Sequence, residues 1–585
     1  MLTQLIHNGV VVPEAPEPRG LTLTIRGRPW ALTPKQEEMA LAWARKQGTP
    51  YVEDAVFQRN FLADFSRELG LEEPLRLEEV DWAPAIHMIE AEKAAREAMT
   101  REERRALAAQ RKAQREALRE QYGFATVNGE RVELGNFMVE PSGIFMGRGE
   151  HPLRGRWKEG PRQEDITLNL SPDAPRPAGN WAAIVWQPES LWVACWRDKL
   201  SGELKYVWLS DTAPIKQERE ARKFDLAHQL DAQLEAVRAQ IRQDLDSPSP
   251  RRRMLATACY LIDVLGLRVG DEKDPDEADT VGATTLRPEH VRLHPDGTAE
   301  FRFLGKDSVL WHKKIALPEA VQRNLAELSQ NARPSNARRC DKSHPTRDLP
   351  QLFPDVSSRK VNEYLSSIVP GLTAKVFRTH HATAVVRATL ERSGVRAEDP
   401  EYKKWEAASL ANLQAAVLCN HTKQAPKNWE SSHARMQERL QRAGERVQAA
   451  RQQLKAAEQL LSDLRRQARE ARKAAPAGRK EQSRARWEKK VEGAARKVEQ
   501  ARERLQRALL AQGKLRAQAA IAAHKRTWNL GTSLKSYIDP RVYHRWGRQV
   551  GYDVLTHYYP KALQRRFSWA RAETPEGADL PDGRS

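Results

Sequence analysis

Five side chains in short, distinctive motifs are spread from residue 268 to residue 537 of this 585-residue chain. In chain order they are Arg268, Lys306, Arg378, His421 and Tyr537. Two guanidiniums, an ammonium and an imidazole can neutralise the charge that builds on a phosphodiester as it breaks, and a phenol can attack its phosphorus. The sequence contains no cluster of carboxylates, or of Cys and His, that would bring a metal ion for the same work. The set therefore favours phosphodiester cleavage by side chains alone.

Each of these residues also has an ordinary structural interpretation. A lone arginine is usually a salt bridge or a phosphate contact, and a lone histidine at the end of an apolar helix, as in AAVLCNH, is usually structural. Tyr537 stands between Ser536 and Ile538, a setting typical of half-buried packing. A tyrosine has a reference pKa of about 10, so as a nucleophile it needs nearby cations or proton loss in the transition state. No single residue of the set establishes the chemistry.

The composition predicts a large protein that binds a polyanion. The formal net charge is +19, which points to nucleic acid. A chain of 585 residues is too long for one core and should form two to four domains. No apolar run approaches the ~20 residues that a membrane span needs, and residues 1–20 lack the features of a secretory signal. The four cysteines are scattered without a CxxC pair, so we expect them to be reduced.

Recognisable elements surround the candidate residues. RRMLATACYLIDVLGL predicts an amphipathic helix that ends just before Arg268. TAEFRFLGKDSVLWHKKIAL alternates on both sides of Gly305-Lys306-Asp307, which predicts a hairpin with Lys306 at its turn. Nearer the N-terminus, residues 86–122 lack Gly and Pro and predict one continuous, largely exposed helix, and residues 123–213 predict a β-rich unit.

Residues 430–518 carry a heptad pattern. Apolar residues recur every three and four positions from Met436 to Ala471, and again from Trp487 to Ala508. The segment Ala475-Pro476-Ala477-Gly478 interrupts the repeat, which predicts two helices folded into an antiparallel coiled-coil hairpin. Many of the seam residues are alanine, so the arm should bury little area and flex.

Several long motifs together resemble one family, the type IB DNA topoisomerases of the eukaryotic kind. They include GIFMGRGEHP, LGLRVGDEK, FLGKDS, GLTAKVFRT, LCNHTKQAPK and GTSLKSYIDPR, in the family's order. The resemblance runs from about His7 to Trp569, and the predicted helical hairpin falls where the family has its linker arm.

The resemblance implies a role for each candidate. Tyr537 would be the nucleophile, forming a 3′-phosphotyrosine and freeing a 5′-hydroxyl. Arg268, Arg378 and His421 would hold the non-bridging oxygens, and Lys306 would protonate the leaving 5′-oxygen. Supercoils of both signs would relax without a metal or any other cofactor. ATP would not be needed either, because the phosphotyrosine retains the bond energy.

It also implies contacts to double-stranded DNA, mostly to phosphates and sugars, which give grip without strong sequence choice. These residues are Arg148, Lys205, Tyr206, Lys223, Val269, Gly270, Asp271, Glu272, Lys273, Thr280, Asp307, Asn362, Thr373, Ala374, Lys375 and Ser536.

The implied architecture is α+β and multidomain, a bilobed clamp around DNA formed by a monomer. A mixed α/β N-terminal lobe would span 1–213, with 19–103 as its cap. A mainly helical catalytic lobe of the topoisomerase IB and tyrosine recombinase kind would span 214–429. The coiled-coil linker would span 430–518, and a small helical C-terminal domain with Tyr537 would span 519–585.

Several features depart from the family pattern. Ser536 stands where the family usually has Asn, and Asp271 replaces another Asn. The family's long charged N-terminal region is not seen before the first motif, which favours a cell without a nucleus, hence the cytoplasm or nucleoid rather than the nucleus.

Two other interpretations fit part of the sequence. A tyrosine recombinase uses a similar Arg-Lys-Arg-Tyr set, but typically shows H-x-x-R where this chain has Lys375 before Arg378. A non-catalytic, basic DNA architectural protein would explain the charge and the coiled coil but not the five spaced residues.

Overall fold

The computed structural model describes residues 1–147, 151–270, 280–305, 309–334, 349–426, 428–474 and 480–572. The chain divides into two compact units. The first comprises residues 1–223, 240–258 and 269–364, and the second comprises 224–239, 259–268 and 365–585. All strands in the described residues fall in the first unit, and the second is helical. The predicted α+β, multidomain fold class is therefore confirmed.

The first unit contains small sheets of two to four strands. Their orders are β1-β5-β6, β3-β2-β4, β7-β8, β10-β9-β11-β12 and β13-β14-β15. The strands are β1 Leu5–His7, β2 Thr22–Ile25, β3 Arg28–Ala31, β4 Val80–Asp81, β5 Phe124–Val127, β6 Glu130–Glu133, β7 Gly143–Ile144, β8 Trp157–Lys158, β9 Ile166–Asn169, β10 Ala183–Val185, β11 Trp192–Arg197, β12 Leu204–Trp208, β13 Val291–Leu293, β14 Thr298–Gly305 and β15 Val309–Ala316.

Helices occur in both units. Those up to residue 368 are α1 Pro34–Ala44, α2 Ala55–Glu68, α3 Ala83–Ala98, α4 Arg101–Tyr122, α5 Pro214–Asp244, α6 Pro250–Leu265, α7 Glu319–Gln330 and α8 Ser358–Ile368. The later ones are α9 Ala374–Glu391, α10 Glu401–Leu418, α11 Trp429–Ala474, α12 Lys480–Lys525, α13 Leu530–Ser536, α14 Pro540–Gln549, α15 Val554–His557 and α16 Lys561–Arg566.

The predicted hairpin around Lys306 is confirmed in its two strands. β14 and β15 pair antiparallel along their full length, with Gly305 opposite Val309. Burial alternates along β14, as expected for a strand with one face on a core. The turn itself, with Lys306 and Asp307, lies outside the described residues.

The prediction of one continuous helix over residues 86–122 is wrong. Helix α3 ends at Ala98, because Met99 takes an extended ψ of 138°. Helix α4 then begins with a capping box, in which Thr100 and Glu103 bond each other's backbone N–H groups. A capping box satisfies two otherwise unpaired donors and therefore favours a new helix start. The expected exposure is confirmed for α4, which has no buried residue.

The coiled-coil arm is an antiparallel pair of long helices, as its heptads predict. Helices α11 and α12 are each 46 residues long. Leu461, Ala494 and Val498 form a small buried cluster in the seam between them. Helix α12 continues to Lys525, beyond the end of the heptad pattern at residue 518.

A large core of the second unit lies around helices α9, α10, α13 and α14. Small residues of α10, such as Ala408 and Ala411, are buried against apolar residues of α9, such as Val386. The same cluster includes Tyr537 and Ile538, from the connection between α13 and α14. The candidate nucleophile therefore belongs to a packed core rather than to a surface loop.

Candidate active site

Arg268 follows the C-terminal end of helix α6. The helix stops at Leu265 because Gly266 adopts a φ of 65°, which glycine tolerates without strain. A Cβ on Gly266 would lie 3.4 Å from the carbonyl oxygen of Leu418, so the turn passes close to the end of α10. Half-buried Arg268 donates from Nη1 to the hydroxyl of Tyr537 at 3.0 Å.

Arg378 is buried in the second turn of helix α9, with 4% of its surface exposed. Its Nη2 donates to the carbonyl oxygen of Cys419 at 2.9 Å, and its Cζ lies 4.9 Å from the centroid of the Tyr537 ring. Its Nε is buried and has no hydrogen-bond partner among the described residues. A buried cation with unused donor capacity is suited to hold an anion.

The end of helix α10 positions His421. Asn420 adopts a left-handed φ of 52°, which asparagine tolerates better than most residues. Its N–H donates to the carbonyl of Val417 at 3.1 Å, and the N–H of His421 donates to the carbonyl of Ala416 at 2.8 Å. This pair of bonds is the Schellman arrangement that closes a helix. The sequence LCNH thus fixes the backbone at His421.

The imidazole of His421 is buried between a hydroxyl and two cations. Its Nδ1 lies 2.7 Å from Oγ of Ser533, and its ring centroid lies 5.4 Å from that of Tyr537. Burial, and then the charges of Arg378 and Arg268, lower the pKa of His421 to about 3. The ring is therefore neutral at pH 7 and offers a hydrogen bond, whereas the sequence predicted a group that helps to neutralise charge.

Tyr537 lies in the short break between helices α13 and α14. Helix α14 begins at Pro540, and Asp539 before it is extended, as proline requires of its predecessor. The N–H of Tyr537 donates to the carbonyl of Ser533 at 3.0 Å, and its own carbonyl accepts from Oγ1 of Thr383 at 3.2 Å. Both backbone groups are thus held, and the side chain is 5% exposed.

The structure brings together four of the five residues singled out in the sequence. Arg268, Arg378 and His421 all lie against the ring or hydroxyl of Tyr537. Two guanidiniums and a neutral donor beside a phenol can bind phosphate oxygens and stabilise negative charge as the phenol loses its proton. Lys306 lies outside the described residues.

The residues expected to contact DNA are distributed over both units. In the second unit, Thr373 is the N-cap of α9, Ala374 is buried and Lys375 is exposed in the first turn. Half-buried Ser536 is the last residue of α13, directly before the phenol.

In the first unit, two of the expected contacts lie on β12. Tyr206 is exposed, and Lys205 beside it bonds Glu203 at 2.6 Å. Lys223 lies half-buried on α5 and forms an ion pair with Glu220.

Further along the first unit, Thr280 and Asn362 are half-buried. Val269 and Gly270 follow Arg268, and Oγ1 of Thr284 donates to the carbonyl of Gly270 at 2.7 Å. Arg148, Asp271, Glu272, Lys273 and Asp307 lie outside the described residues.

Two residues in contact with the site were not singled out from the sequence. Ser533 contacts the imidazole of His421, and Thr383 contacts the backbone of Tyr537. Ser533 precedes Tyr537 by one helical turn within GTSLKSYIDPR, a spacing that could have indicated a shared face. Nothing in the pattern around Thr383 indicates its role.

Backbone hydrogen bonds join the two ends of the coiled-coil arm. The N–H of Lys423 donates to the carbonyl of Thr527 at 2.8 Å, and the N–H of Asn529 donates to the carbonyl of His421 at 2.7 Å. The segment that enters the arm and the segment that leaves it are thus fastened together beside His421.

The described ranges contain neither a metal-binding cluster nor a helix that could cross a membrane. No group of three or more His, Cys, Asp or Glu side chains is arranged to hold a metal ion there. Nor does any helix in that part of the chain combine the length and apolarity that crossing a membrane requires.

Comparison with protein families gives three matches along the chain. Residues 2–209 match the DNA binding fragment of eukaryotic DNA topoisomerase I, and residues 212–454 match the catalytic core of the same family. Residues 512–577, which include Tyr537, match a C-terminal topoisomerase domain.

Curated relatives cover nearly the whole chain. The human protein "DNA topoisomerase I, mitochondrial" is 33% identical over 98% of this chain and 90% of its own length. Human "DNA topoisomerase 1" is 31% identical over 97% of this chain and 70% of its own length. "DNA topoisomerase 1 beta" of Arabidopsis thaliana is 33% identical over 74% of this chain and 46% of its own length. These relatives are eukaryotic, so they give no support to the expectation of a cell without a nucleus.

Proposed function

This chain belongs to the family of eukaryotic DNA topoisomerase I, a type IB enzyme, and from that premise we propose that Tyr537 is the residue that attacks DNA. The family relaxes positive and negative supercoils by transient cleavage of one strand, rotation and religation. The individual roles of the residues in this chain are our assignment.

The hydrogen bond between Arg268 and Tyr537 carries the proposal. A guanidinium that donates to the phenol oxygen at 3.0 Å stabilises negative charge on that oxygen as its proton leaves. Arg378 lies beneath the same ring with an unused, buried Nε. A scissile phosphate next to the Tyr537 hydroxyl would therefore lie within reach of both cations and of His421.

The proposed reaction exchanges one phosphodiester for another. The Tyr537 oxygen forms a bond to phosphorus as the phenolic proton passes to solvent water, and the bond between phosphorus and the 5′-oxygen breaks. Arg268, Arg378 and His421 hold the non-bridging oxygens, where charge accumulates. The 5′-oxygen takes up a proton and leaves as a hydroxyl. Religation is the same step in reverse, with the hydroxyl attacking the phosphotyrosine, so no external energy source is required.

We assign the proton for the leaving oxygen to Lys306. The two strands that flank its turn are in place in β14 and β15. Replacing the 5′-bridging oxygen by sulfur gives a leaving group that needs no acid. The variant Lys306→Ala should therefore cleave an ordinary duplex slowly and a 5′-phosphorothiolate duplex at nearly the parent rate. If the sulfur substitution accelerates cleavage by Lys306→Ala no more than it accelerates cleavage by the parent enzyme, the proton has another source.

We further propose that the enzyme acts as a monomer that closes around duplex DNA, with the four domains bounded near residues 213, 429 and 518. The net charge of +19 supports a phosphate-dominated grip. Affinity should then fall steeply as salt rises, because bound counterions are released from the DNA.

The decisive experiment is to locate the covalent link. Full-length enzyme is incubated with supercoiled plasmid, EDTA and no ATP, the adduct is trapped with denaturant, and the peptide is mapped by mass spectrometry. We expect relaxation and a nucleotide on Tyr537. The Tyr537→Phe variant, which keeps the ring and removes one oxygen, should bind DNA but form no adduct. A nucleotide on another residue, or relaxation by Tyr537→Phe, would refute the assignment.

A further inference from the structure

The two ring nitrogens of His421 have different surroundings. Nδ1 lies 2.7 Å from Oγ of Ser533. Nε2 is buried and has no hydrogen-bond partner among the described residues. Buried polar atoms are nearly always paired, so an unpaired one at a site calls for an explanation. The contrast suggests that one nitrogen is occupied by the protein and the other is kept for a ligand.

The state of the ring restricts where its proton can be. Because burial and two guanidiniums keep His421 neutral, only one of its nitrogens carries hydrogen at pH 7. The ionised phosphodiester offers only acceptor oxygens. His421 can therefore bond a phosphate oxygen only if that hydrogen is on the nitrogen that faces the phosphate, and the other nitrogen must then accept a hydrogen bond.

The hydroxyl of Ser533 is available to make that bond. Ser533 is fully buried on helix α13, and its Oγ has no other hydrogen-bond partner in the described ranges. If Ser533 donates to Nδ1, both groups are satisfied. If it instead accepts from Nδ1, the hydroxyl hydrogen is left buried and unpaired, which is unfavourable.

We propose that Ser533 is a positioning residue that sets the tautomer of His421. Its hydroxyl donates to Nδ1, which places the ring hydrogen on Nε2, and Nε2 then donates to a non-bridging oxygen of the scissile phosphate. The inference rests on the proposed function, because it takes His421 to be a phosphate ligand. It adds that His421 binds the phosphate as a neutral donor. The orientation of that donor depends on Ser533, which belongs to the same segment as Tyr537.

Ser533 also connects this donor to the nucleophile. Its carbonyl oxygen accepts from the N–H groups of Tyr537 at 3.0 Å and Ile538 at 3.2 Å. One residue therefore contacts the imidazole through its side chain and the nucleophile through its backbone. When α13 is correctly placed, the phenol and the imidazole donor are oriented by the same residue.

The test is a double-mutant cycle on the rate of single-turnover cleavage. Ser533→Ala removes the hydroxyl and should slow cleavage about tenfold to a hundredfold, the range typical for loss of a partner that orients a metal-binding histidine. In His421→Gln, the side-chain amide always carries hydrogen and has no tautomer to set. Adding Ser533→Ala to His421→Gln should therefore change the rate less than about twofold. A purely structural role for Ser533 would slow both backgrounds equally, and that result would overturn the proposal.

Two further variants protect the test against a folding defect. Ser533→Thr keeps a hydroxyl and should retain the rate within about threefold. Ser533→Cys preserves the volume but is a weak donor, so its rate should fall between those of Ser533→Thr and Ser533→Ala. Thermal melting and DNA binding of each variant identify any loss of fold. A rate for Ser533→Cys equal to that of the parent would contradict a donor role.

A modified substrate distinguishes failure of this inference from failure of the proposed function. A methylphosphonate replaces one non-bridging oxygen by a methyl group, in either of two stereoisomers. With the isomer that lacks the oxygen bound by His421, Ser533→Ala should have no further effect, and with the other isomer it should have its full effect. Equal effects on both isomers, with Tyr537→Phe still inactive, would leave the function standing and end the tautomer proposal. Cleavage by Tyr537→Phe would end both.

Discussion

The core around helices α9, α10, α13 and α14 and the coiled-coil arm belong to the same unit but bury their residues very differently. Helix α10 has nine buried residues among its 18, whereas α11 has four among its 46. Alanine is common at the contacts of both. In α10 it allows helices to pack on several sides, but the buried cluster within the arm contains residues of α11 and α12 only.

The difference in burial between the core and the arm indicates where side chains must be held in a precise geometry. Catalytic groups must be held in productive geometry by packed neighbours, since small displacements are costly to the rate. Arg378, His421 and Tyr537 are all buried in or beside the packed core. The arm instead presents mostly exposed charged residues. Substitutions in the core should therefore alter cleavage, and matching substitutions in the arm should not.

Apart from the loss of Tyr537 itself, the largest effect is expected from Arg378. Arg378→Ala should lower the rate of single-turnover cleavage about a hundredfold to a thousandfold, as loss of one fixed donor to a developing anion typically does. Arg378→Lys keeps the charge but not the planar fork, so it should be intermediate. Arg387, on the same helix, pairs with Asp231 at 3.1 Å and provides a matched control. A comparable loss in Arg387→Ala would mean that helix α9 tolerates no charge change, and the specific role of Arg378 would fail.

The second prediction concerns acid stability of the DNA-free enzyme. The pKa of His421 in the folded protein is about 3, which is below the reference value of 6.5. Between these two pH values, the unfolded chain therefore binds more protons than the folded protein. The stabilisation from His421 is complete above about pH 6.5 and is lost as pH falls toward 3, in total on the order of 3–5 kcal/mol.

Urea unfolding at several pH values measures this contribution. The variant His421→Gln lacks the titrating group, so its unfolding free energy should fall less than that of the parent between about pH 6.5 and 4. Parallel curves for parent and variant would show that His421 is not held neutral by its surroundings.

A smaller effect is expected from Thr383, which holds the backbone of the nucleophile. Its Oγ1 donates to the carbonyl of Tyr537 and accepts from the N–H of Asp539 at 3.1 Å. Thr383→Val leaves both groups unpaired and should slow cleavage about tenfold. Thr383→Ser keeps the hydroxyl and should stay within about twofold of the parent. If the two variants cleave equally fast, the hydroxyl is not what positions Tyr537.

The smallest effect on cleavage should come from the arm. Leu461→Ala in the seam should loosen the arm, with faster hydrogen exchange in α11 and α12, and change the cleavage rate less than about twofold. Leu390→Ala, the same change in the core, should destabilise the unit by about 2–5 kcal/mol. A greater loss of cleavage in Leu461→Ala than in Leu390→Ala would contradict the prediction that cleavage depends on packing in the core rather than in the arm.

The parts of the fold that local patterns determine could be predicted from the sequence. The heptads predicted the arm, because Val447 and Ala450 reach the seam through regular helical spacing. The break between α3 and α4 was also encoded locally, in Thr100 and Glu103, but a run of good helix formers obscured it. A capping box outweighs composition where both are present.

The site was predictable only in part. The motifs identified the side chains that the structure brings together around Tyr537, but not the residues that hold them. Ser533 is 112 residues from His421 in the chain, and Thr383 is 154 residues from Tyr537. Such contacts depend on how distant helices pack, for which no periodic pattern exists in either segment.

The backbone bonds at the root of the arm have a consequence for how the protein can vary. Lys423 is fastened to Thr527 and His421 to Asn529, so about a hundred residues leave the core and return to the same place. Lengthening or shortening both helices by matched whole turns would leave those fastenings, and the spacing between imidazole and phenol, unchanged. The length of the arm can therefore change without altering the geometry of cleavage, and can adapt to whatever the arm contacts.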